Sequence, residues 1–144
     1  MLAGSRLVRR TVGAASFAAA LFLTSLAVPE GAGGREGPVL AEKLPNVPGK
    51  SLTAVVVKYA PGGSSPRHRH AGSVFAYVLS GAIRSENSAT GPARVYQAGE
   101  GFFEPSGSEH VVSANASTTE PASLLAVFVA DDGAQLTQFD KARE

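Results

Sequence analysis

Short apolar segments separated by turn signals make up the chain from residue 51 onward. VFAYVL is followed by SG, and SLLAVFVA is followed by DDGA, and the other segments end in similar Gly-, Pro- or Asn-containing runs. No ten-residue segment shows the 3.6-residue period of an amphipathic helix. Short segments at this spacing, rich in Val, Phe and Tyr, predict an all-β fold, an antiparallel sandwich or barrel.

Strand alternation then predicts which side chains share a face. His68 and His70 project to one side, and Arg67 and Arg69 project to the other. In the segment 74–79 both alternating rows are apolar, so we expect this strand to be covered on both faces. One row would line the interior. The other would pack either within the chain or against a second copy in a homodimer, and the sequence leaves both open.

The first 27 residues have a composition of their own. Arg6, Arg9 and Arg10 precede an apolar stretch that ends in Ser25-Leu26-Ala27. A basic start, an apolar middle and a small-x-small end predict a signal peptide, cleaved near Ala27, and therefore an exported protein, periplasmic or secreted. The alternative is an uncleaved membrane anchor, because the apolar run approaches the roughly 17–25 residues that span a bilayer.

The remaining chain divides into a Gly- and Pro-rich leader at 28–50 and one β domain at 51–140. We expect the leader to be flexible, with a short extended piece at 39–41 that pairs with a sheet edge. Without the first 27 residues the chain has ten basic and twelve acidic residues, a net charge of −2. No basic cluster indicates nucleic acid. The absence of cysteine excludes disulfides, thiolate metal sites and a cysteine nucleophile.

The chain has three histidines, and all of them lie in two motifs. The first motif is Gly62-GSSPR-His68-Arg-His70-AGS-Val-FAYVLS-Gly81, and the second is Gly99-EGFFE-Pro-Ser-Gly-SE-His110. Their order and spacing, with 17 residues between them, resemble the two motifs of the cupin family. The resemblance implies a jelly-roll β-barrel, or double-stranded β-helix. It also implies that His68, His70 and His110 bind a divalent metal.

The chain departs from the family pattern at two positions. Val74 stands where the family has a glutamate ligand, and valine cannot bind a metal. Ala114 stands where the family has an asparagine, and we expect Asn115, one residue later, to face the opposite side. A replacement carboxylate is available only if Glu104 reaches inward. We expect Glu104 to be a rim or turn residue, with a role as ligand as the alternative, and Glu109 to face away from the site.

Three neutral imidazoles can hold Fe, Mn, Co, Ni, Cu or Zn. Without a carboxylate ligand the ion keeps its full charge, which favours an anionic or chelating small-molecule substrate. Some enzymes of the family that these motifs resemble, among them thiol, gentisate and diketone-cleaving dioxygenases, use three-histidine iron, which gives a precedent for the site without identifying the substrate. We therefore predict a metal-dependent, dioxygenase-like enzyme whose pocket walls could include Tyr96, Phe102 and Phe103.

The alternative function is a non-catalytic module that binds a metal or a small ligand. A degenerate cupin that keeps its histidines as polar core residues also remains open. A transcription regulator is disfavoured because the sequence contains no DNA-binding domain.

Overall fold

The computed structural model describes residues 34–140, which form eleven β-strands and no helix. The predicted signal peptide at 1–27 lies outside the described residues, so cleavage and export stay predictions. Within 34–140 no helix is present that could cross a membrane. The strands are β1 (Gly34–Lys43), β2 (Lys50–Tyr59), β3 (Ser64–Ser65), β4 (His68–His70), β5 (Ser73–Ser80), β6 (Ala82–Asn87), β7 (Gly91–Gln97), β8 (Gly101–Glu104), β9 (Glu109–Asn115), β10 (Ala122–Asp131) and β11 (Thr137–Phe139).

The strands form two antiparallel sheets, as the turn-punctuated sequence predicted. One sheet has the order β1-β2-β10-β5-β8, and the other has the order β11-β4-β9-β6-β7 with β3 paired to β9. Hydrogen bonds do not join the two sheets into one closed barrel within the described chain. A single apolar core lies between them. It takes Val74 and Ala76 from β5, Leu124 and Phe128 from β10, and Ile83 from the other sheet.

The alternation predicted for β5 is present, but only one of its faces is covered. Val74, Ala76 and Val78 are buried, whereas the opposite row, Phe75, Tyr77 and Leu79, is 38–49% exposed. The expectation that both faces are covered is therefore not met by residues 34–140. The homodimer suggested by the outer row stays a prediction.

Part of the segment predicted to be a flexible leader is a strand at the edge of the first sheet. β1 pairs with β2 along its length, and Leu40 lies opposite Ala54. The register shifts on both sides of Pro38. Proline lacks the N–H that a regular ladder needs, and an edge strand with an irregular register tolerates it. The extended piece expected at 39–41 is the middle of this longer strand.

Gly81 makes the corner at which the chain passes from one sheet to the other. It lies between β5 and β6 and has a φ of +66°. A Cβ atom here would lie 2.7 Å from the carbonyl oxygen of Pro121 and 2.8 Å from Cβ of Ala122. Only glycine combines this φ with such a close approach. The first motif thus ends in glycine for a steric reason.

Candidate metal centre

Three buried histidines converge between β4 and β9. His68 lies directly opposite His110 in the antiparallel pair, and His70 follows two residues later on the same face. Cross-strand partners project to the same side of a sheet, so this pairing brings the two motifs together. One nitrogen from each ring lies within 4.8 Å of the others. All three histidines are buried, with at most 5% of each residue exposed. The structure thus brings together the three residues to which the motifs pointed.

Hydrogen bonds on the far side of each ring fix its orientation. Nδ1 of His68 donates to the carbonyl of Pro66 at 2.6 Å. Nδ1 of His70 lies 3.1 Å from both the carbonyl oxygen of Leu136 and Oγ1 of Thr137, where β11 begins. A nitrogen bound to a carbonyl must carry the proton, so Nε2 of each ring keeps the lone pair that a metal requires.

His110 uses the opposite nitrogen. Its Nε2 hydrogen-bonds to Oγ of Ser85 at 2.9 Å. Its Nδ1 lies 2.9 Å from Oε2 of Glu104, yet the two atoms are not aligned as donor and acceptor. This buried nitrogen has no hydrogen-bond partner among residues 34–140. An unsatisfied buried nitrogen beside two ring nitrogens is what a metal site without its ion presents, so the residues present fit a divalent metal.

The expectation that Glu104 lies at the rim or in a turn is wrong. Its side chain is 3% exposed and extends into the site from the end of β8. Residues alternate along β8, with Phe102 and Glu104 buried and Gly101 and Phe103 exposed. The two-residue alternation of the strand puts Glu104 on the same face as Phe102. The sequence alone did not show that this face is buried, because the burial of Phe102 is known only from the structure.

The environment shifts the acid–base equilibria of two site residues. Burial lowers the pKa of His68 to about 4. Burial raises the pKa of Glu104, but its contact with His110 and the charges of the histidines outweigh this, so the net shift is downward. At neutral pH His68 is therefore an unprotonated imidazole, the form that binds metals.

The pKa of His68 predicts an acid-sensitive metal-free protein. In the unfolded chain His68 takes up a proton near pH 6.5, whereas in the folded protein it does so only near pH 4. The unfolded state thus binds more protons in this window, and stability falls as the pH drops. We expect the free energy of unfolding to fall by about 2 kcal/mol from pH 7 to pH 5 through this residue.

Urea unfolding of chelator-treated protein at pH 7 and pH 5 measures this loss. The variant His68→Gln should lack this contribution to the pH dependence, whatever its stability at pH 7. Glu104 contributes only below its ordinary pKa of 4.5, outside this interval. An equal pH dependence in wild type and variant would contradict the prediction.

A bulge in β9 corrects the expected orientation of Asn115. Glu86 pairs with Val112 and Asn87 pairs with His110, so Val111 is an extra residue in β9. Beyond such an extra residue, the strand positions whose side chains face inward are shifted by one. Asn115 is therefore buried, and its Nδ2 donates to the carbonyls of Ala60 and Glu120 at 3.0 and 2.7 Å. The prediction that it faces away was wrong because it assumed a regular strand.

The opposite face of β4 and β9 carries the charges, as predicted. The carboxylate of Glu109 lies 3.4 Å from the guanidinium groups of both Arg67 and Arg69. Its side chain is 18% exposed and points away from the histidines. Such ion pairs at the surface contribute little stability. Substitutions of these residues are therefore expected to leave the histidine site unchanged.

The histidines line a cavity of about 380 Å³, measured with its open mouth. Hydroxyl groups form one wall, where Oη of Tyr59 lies 2.8 Å from Oγ of Ser65 and 2.8 Å from Oγ of Ser113. Phe102 lines the cavity as suggested, but Phe103 is 52% exposed on the other face. The lining residues are Val57, Tyr59, Ser65, His68, His70, Ala76, Phe102, Glu104, His110, Ser113, Leu124, Ala126 and Phe128.

Tyr96, the third aromatic residue suggested for the pocket, is not among the lining residues. It packs behind Phe102, and the two ring centroids are 4.7 Å apart. Tyr96 therefore supports the wall without forming it.

Comparison with known families identifies this arrangement. The family model described as "Cupin domain" matches residues 55–128, more than half of the chain. The chain belongs to the cupin family. The match contains both histidine motifs and the strands that carry them. No curated protein sequence matches this cupin significantly.

Solved structures share the same fold. An oxalate oxidase is 23% identical with a TM-score of 0.58, covering 78% of this cupin and 57% of its own chain. An uncharacterized conserved protein with a double-stranded β-helix domain from Klebsiella pneumoniae is 23% identical with a TM-score of 0.55, covering 72% and 81%. The DMSP lyase DddQ from Ruegeria pomeroyi is 24% identical with a TM-score of 0.52, covering 61% and 42%. This cupin thus spans less than half of DddQ, and at these identities the likeness shows the fold alone.

Proposed function

We propose that this cupin binds one divalent transition-metal ion through His68, His70 and His110, and that the ion activates a small anionic or chelating organic substrate. The observation that carries the proposal is the convergence of three buried ring nitrogens within 4.8 Å. Hydrogen bonds on the outer side of each ring hold it in place. Such outer partners are typical of metal-binding histidines.

The ion would supply Lewis-acid activation of the substrate and, if it is redox-active, electron transfer to or from dioxygen. The protein would supply position and shielding. The hydroxyl groups of Tyr59, Ser65 and Ser113 would offer hydrogen bonds to polar substrate atoms, and the rings of Phe102 and Phe128 would give the lining an apolar part.

The cavity lining favours chemistry centred on the metal. Its titratable residues are the three histidines, Glu104 and Tyr59, and it contains no lysine or cysteine. Few groups are thus left for separate acid and base roles. This supports a dioxygenase-like reaction, although the fold itself hosts many activities.

The same lining supports an alternative, a non-catalytic module that binds a metal or a small ligand. Metal analysis of the purified protein, followed by oxygen uptake with diketones, catechols, thiols and hydroxy acids, separates the two functions. We expect about one equivalent of metal and oxygen uptake that depends on one substrate class. Retained metal without turnover on any class would favour the binding module. Protein that holds no metal when supplied with iron, manganese, nickel, cobalt, copper and zinc in turn would overturn the proposal.

A further inference from the structure

Glu104 is a buried carboxylate that faces the histidines. Its Oε2 atom lies 2.9 Å from Nδ1 of His110 and 3.7 Å from Nε2 of His70. Nδ2 of Asn87 donates to the same oxygen at 3.4 Å, a long hydrogen bond from the neighbouring sheet. In the part of the chain that the structure describes, no lysine or arginine forms an ion pair with it. A carboxylate that is 3% exposed thus has only imidazoles and one amide around it.

Such a group is expensive to bury. An ionised carboxylate moved out of water costs several kcal/mol unless a cation or several hydrogen bonds compensate it. When the histidines are unprotonated, as metal binding requires, one long amide contact does not provide that compensation. A divalent ion at the histidines would, and it would also satisfy Nδ1 of His110, the buried nitrogen that lacks a hydrogen bond.

Strand pairing explains why the carboxylate comes from residue 104. Val74 on β5 occupies the position of the missing glutamate, and Glu104 on β8 is its direct cross-strand partner. Side chains paired in this way project from the same face, with Cβ atoms about 4.5–5.5 Å apart. A glutamate at either position therefore starts within one strand spacing of the other and projects from the same face of the sheet.

The contact with His110 has the spacing of two ligands on one ion. Ligand atoms about 2.1 Å from an ion and at right angles to each other are about 3.0 Å apart. Oε2 of Glu104 and Nδ1 of His110 are separated by 2.9 Å. They meet at this distance without the alignment of a hydrogen bond, so an ion between them accounts for the contact better than a shared proton.

We propose that Glu104 is the fourth protein ligand of the metal, with β8 supplying the carboxylate that β5 lacks. This inference rests on the proposed metal site and specifies its charge. With one carboxylate the centre carries +1 instead of +2, so a monoanionic substrate is sufficient to neutralise it. A harder donor set also favours Mn²⁺ or Fe²⁺ over Cu²⁺ relative to three imidazoles alone.

Titration of metal-free protein with Mn²⁺ tests the assignment. We expect Glu104→Gln, which keeps the shape and removes the charge, to weaken Mn²⁺ binding by about 100-fold or more, at or beyond the upper end of the range for outer partners. The double variant Val74→Glu/Glu104→Val moves the carboxylate back across the strand pair. It should bind Mn²⁺ within about tenfold of wild type, whereas Glu104→Val alone should bind at least as weakly as Glu104→Gln.

Thermal unfolding with and without Mn²⁺ separates a ligand from a merely structural residue. The melting temperature of metal-free Glu104→Val is the reference, because the loss of the carboxylate also removes its contacts with His110 and Asn87. The rise in melting temperature that Mn²⁺ causes should largely disappear in this variant, because stabilisation by a ligand follows the affinity for that ligand. Glu109→Gln, which alters a carboxylate on the outer face, should match wild type in both measurements.

Wild-type affinity for Mn²⁺ in Glu104→Gln and Glu104→Val would overturn the assignment of Glu104. If His110→Ala still failed to bind Mn²⁺ in that case, the three histidines would be the metal ligands and Glu104 would not be one. A wild-type protein that binds none of the divalent metals would instead overturn the proposed function. The two failures are therefore distinguishable.

Discussion

His110→Ala is expected to lower the affinity for Mn²⁺ or Fe²⁺ by about 1,000-fold or more, equivalent to about 4 kcal/mol. His110 is the histidine that β9 contributes, and it lies opposite His68. Alanine leaves the two imidazoles of β4 and the carboxylate of Glu104, and it removes one of the four proposed ligands, the one that lies 2.9 Å from that carboxylate. Calorimetric titration of metal-free protein, with metal analysis after gel filtration, measures the loss.

Two further variants calibrate this result. Ser85→Ala keeps all three ligands but removes the hydrogen bond that orients His110, and should weaken binding by about 10- to 100-fold. Arg69 lies between the two histidines of β4 but points outward, so Arg69→Ala should leave the metal affinity unchanged. A His110→Ala protein that retains one equivalent of metal would contradict the convergent triad.

Phe102→Ala should destabilise the metal-free protein by about 3–5 kcal/mol, the range for losing a buried aromatic ring. Phe102 is 9% exposed and packs between Tyr96 and the His110 ring, with centroid distances of 4.7 and 6.1 Å. Its removal leaves a void beside the site that the surrounding strands fill only in part. Urea unfolding of chelator-treated protein measures the change.

Phe103→Ala is the matched control, because it removes the same side chain from the adjacent position of β8. Phe103 is 52% exposed on the outer face, so its loss should cost about 1 kcal/mol or less. Equal losses from the two substitutions would show that β8 does not alternate as described. The comparison therefore tests the strand orientation that also turns Glu104 inward.

Much of the site was predicted from two sequence motifs and their resemblance to those of the cupin family. Within each motif, strand and turn geometry sets the spacing of the characteristic positions. These positions are the motif glycines, the His-x-His pair and the later histidine. Gly62, Gly81, Gly99 and Gly107 all have positive φ, a conformation that glycine adopts without strain. The outward orientation of Arg67, Arg69 and Glu109 followed from the same two-residue period.

The misplaced residues depend on contacts between strands distant in sequence. Period-2 alternation states which residues of one strand share a face, but not which strand lies beside it or where a bulge occurs. Glu104 was expected at the rim because it ends a predicted strand just before Pro105, and its pairing with Val74, thirty positions earlier, is visible only in the structure. Asn115 was expected to face away because the extra residue at Val111 is visible only in the pairing of β9 with β6.

By itself the sequence determined an all-β protein with the cupin motifs and the three imidazoles that a metal would need. The tertiary structure alone decided that a carboxylate from β8 stands beside them, that β11 orients His70, and that an apolar row of β5 is exposed. The reason is physical. Turn and strand preferences act over a few residues, whereas the charge and shape of the site arise from side chains that only sheet pairing brings within a few ångströms of each other.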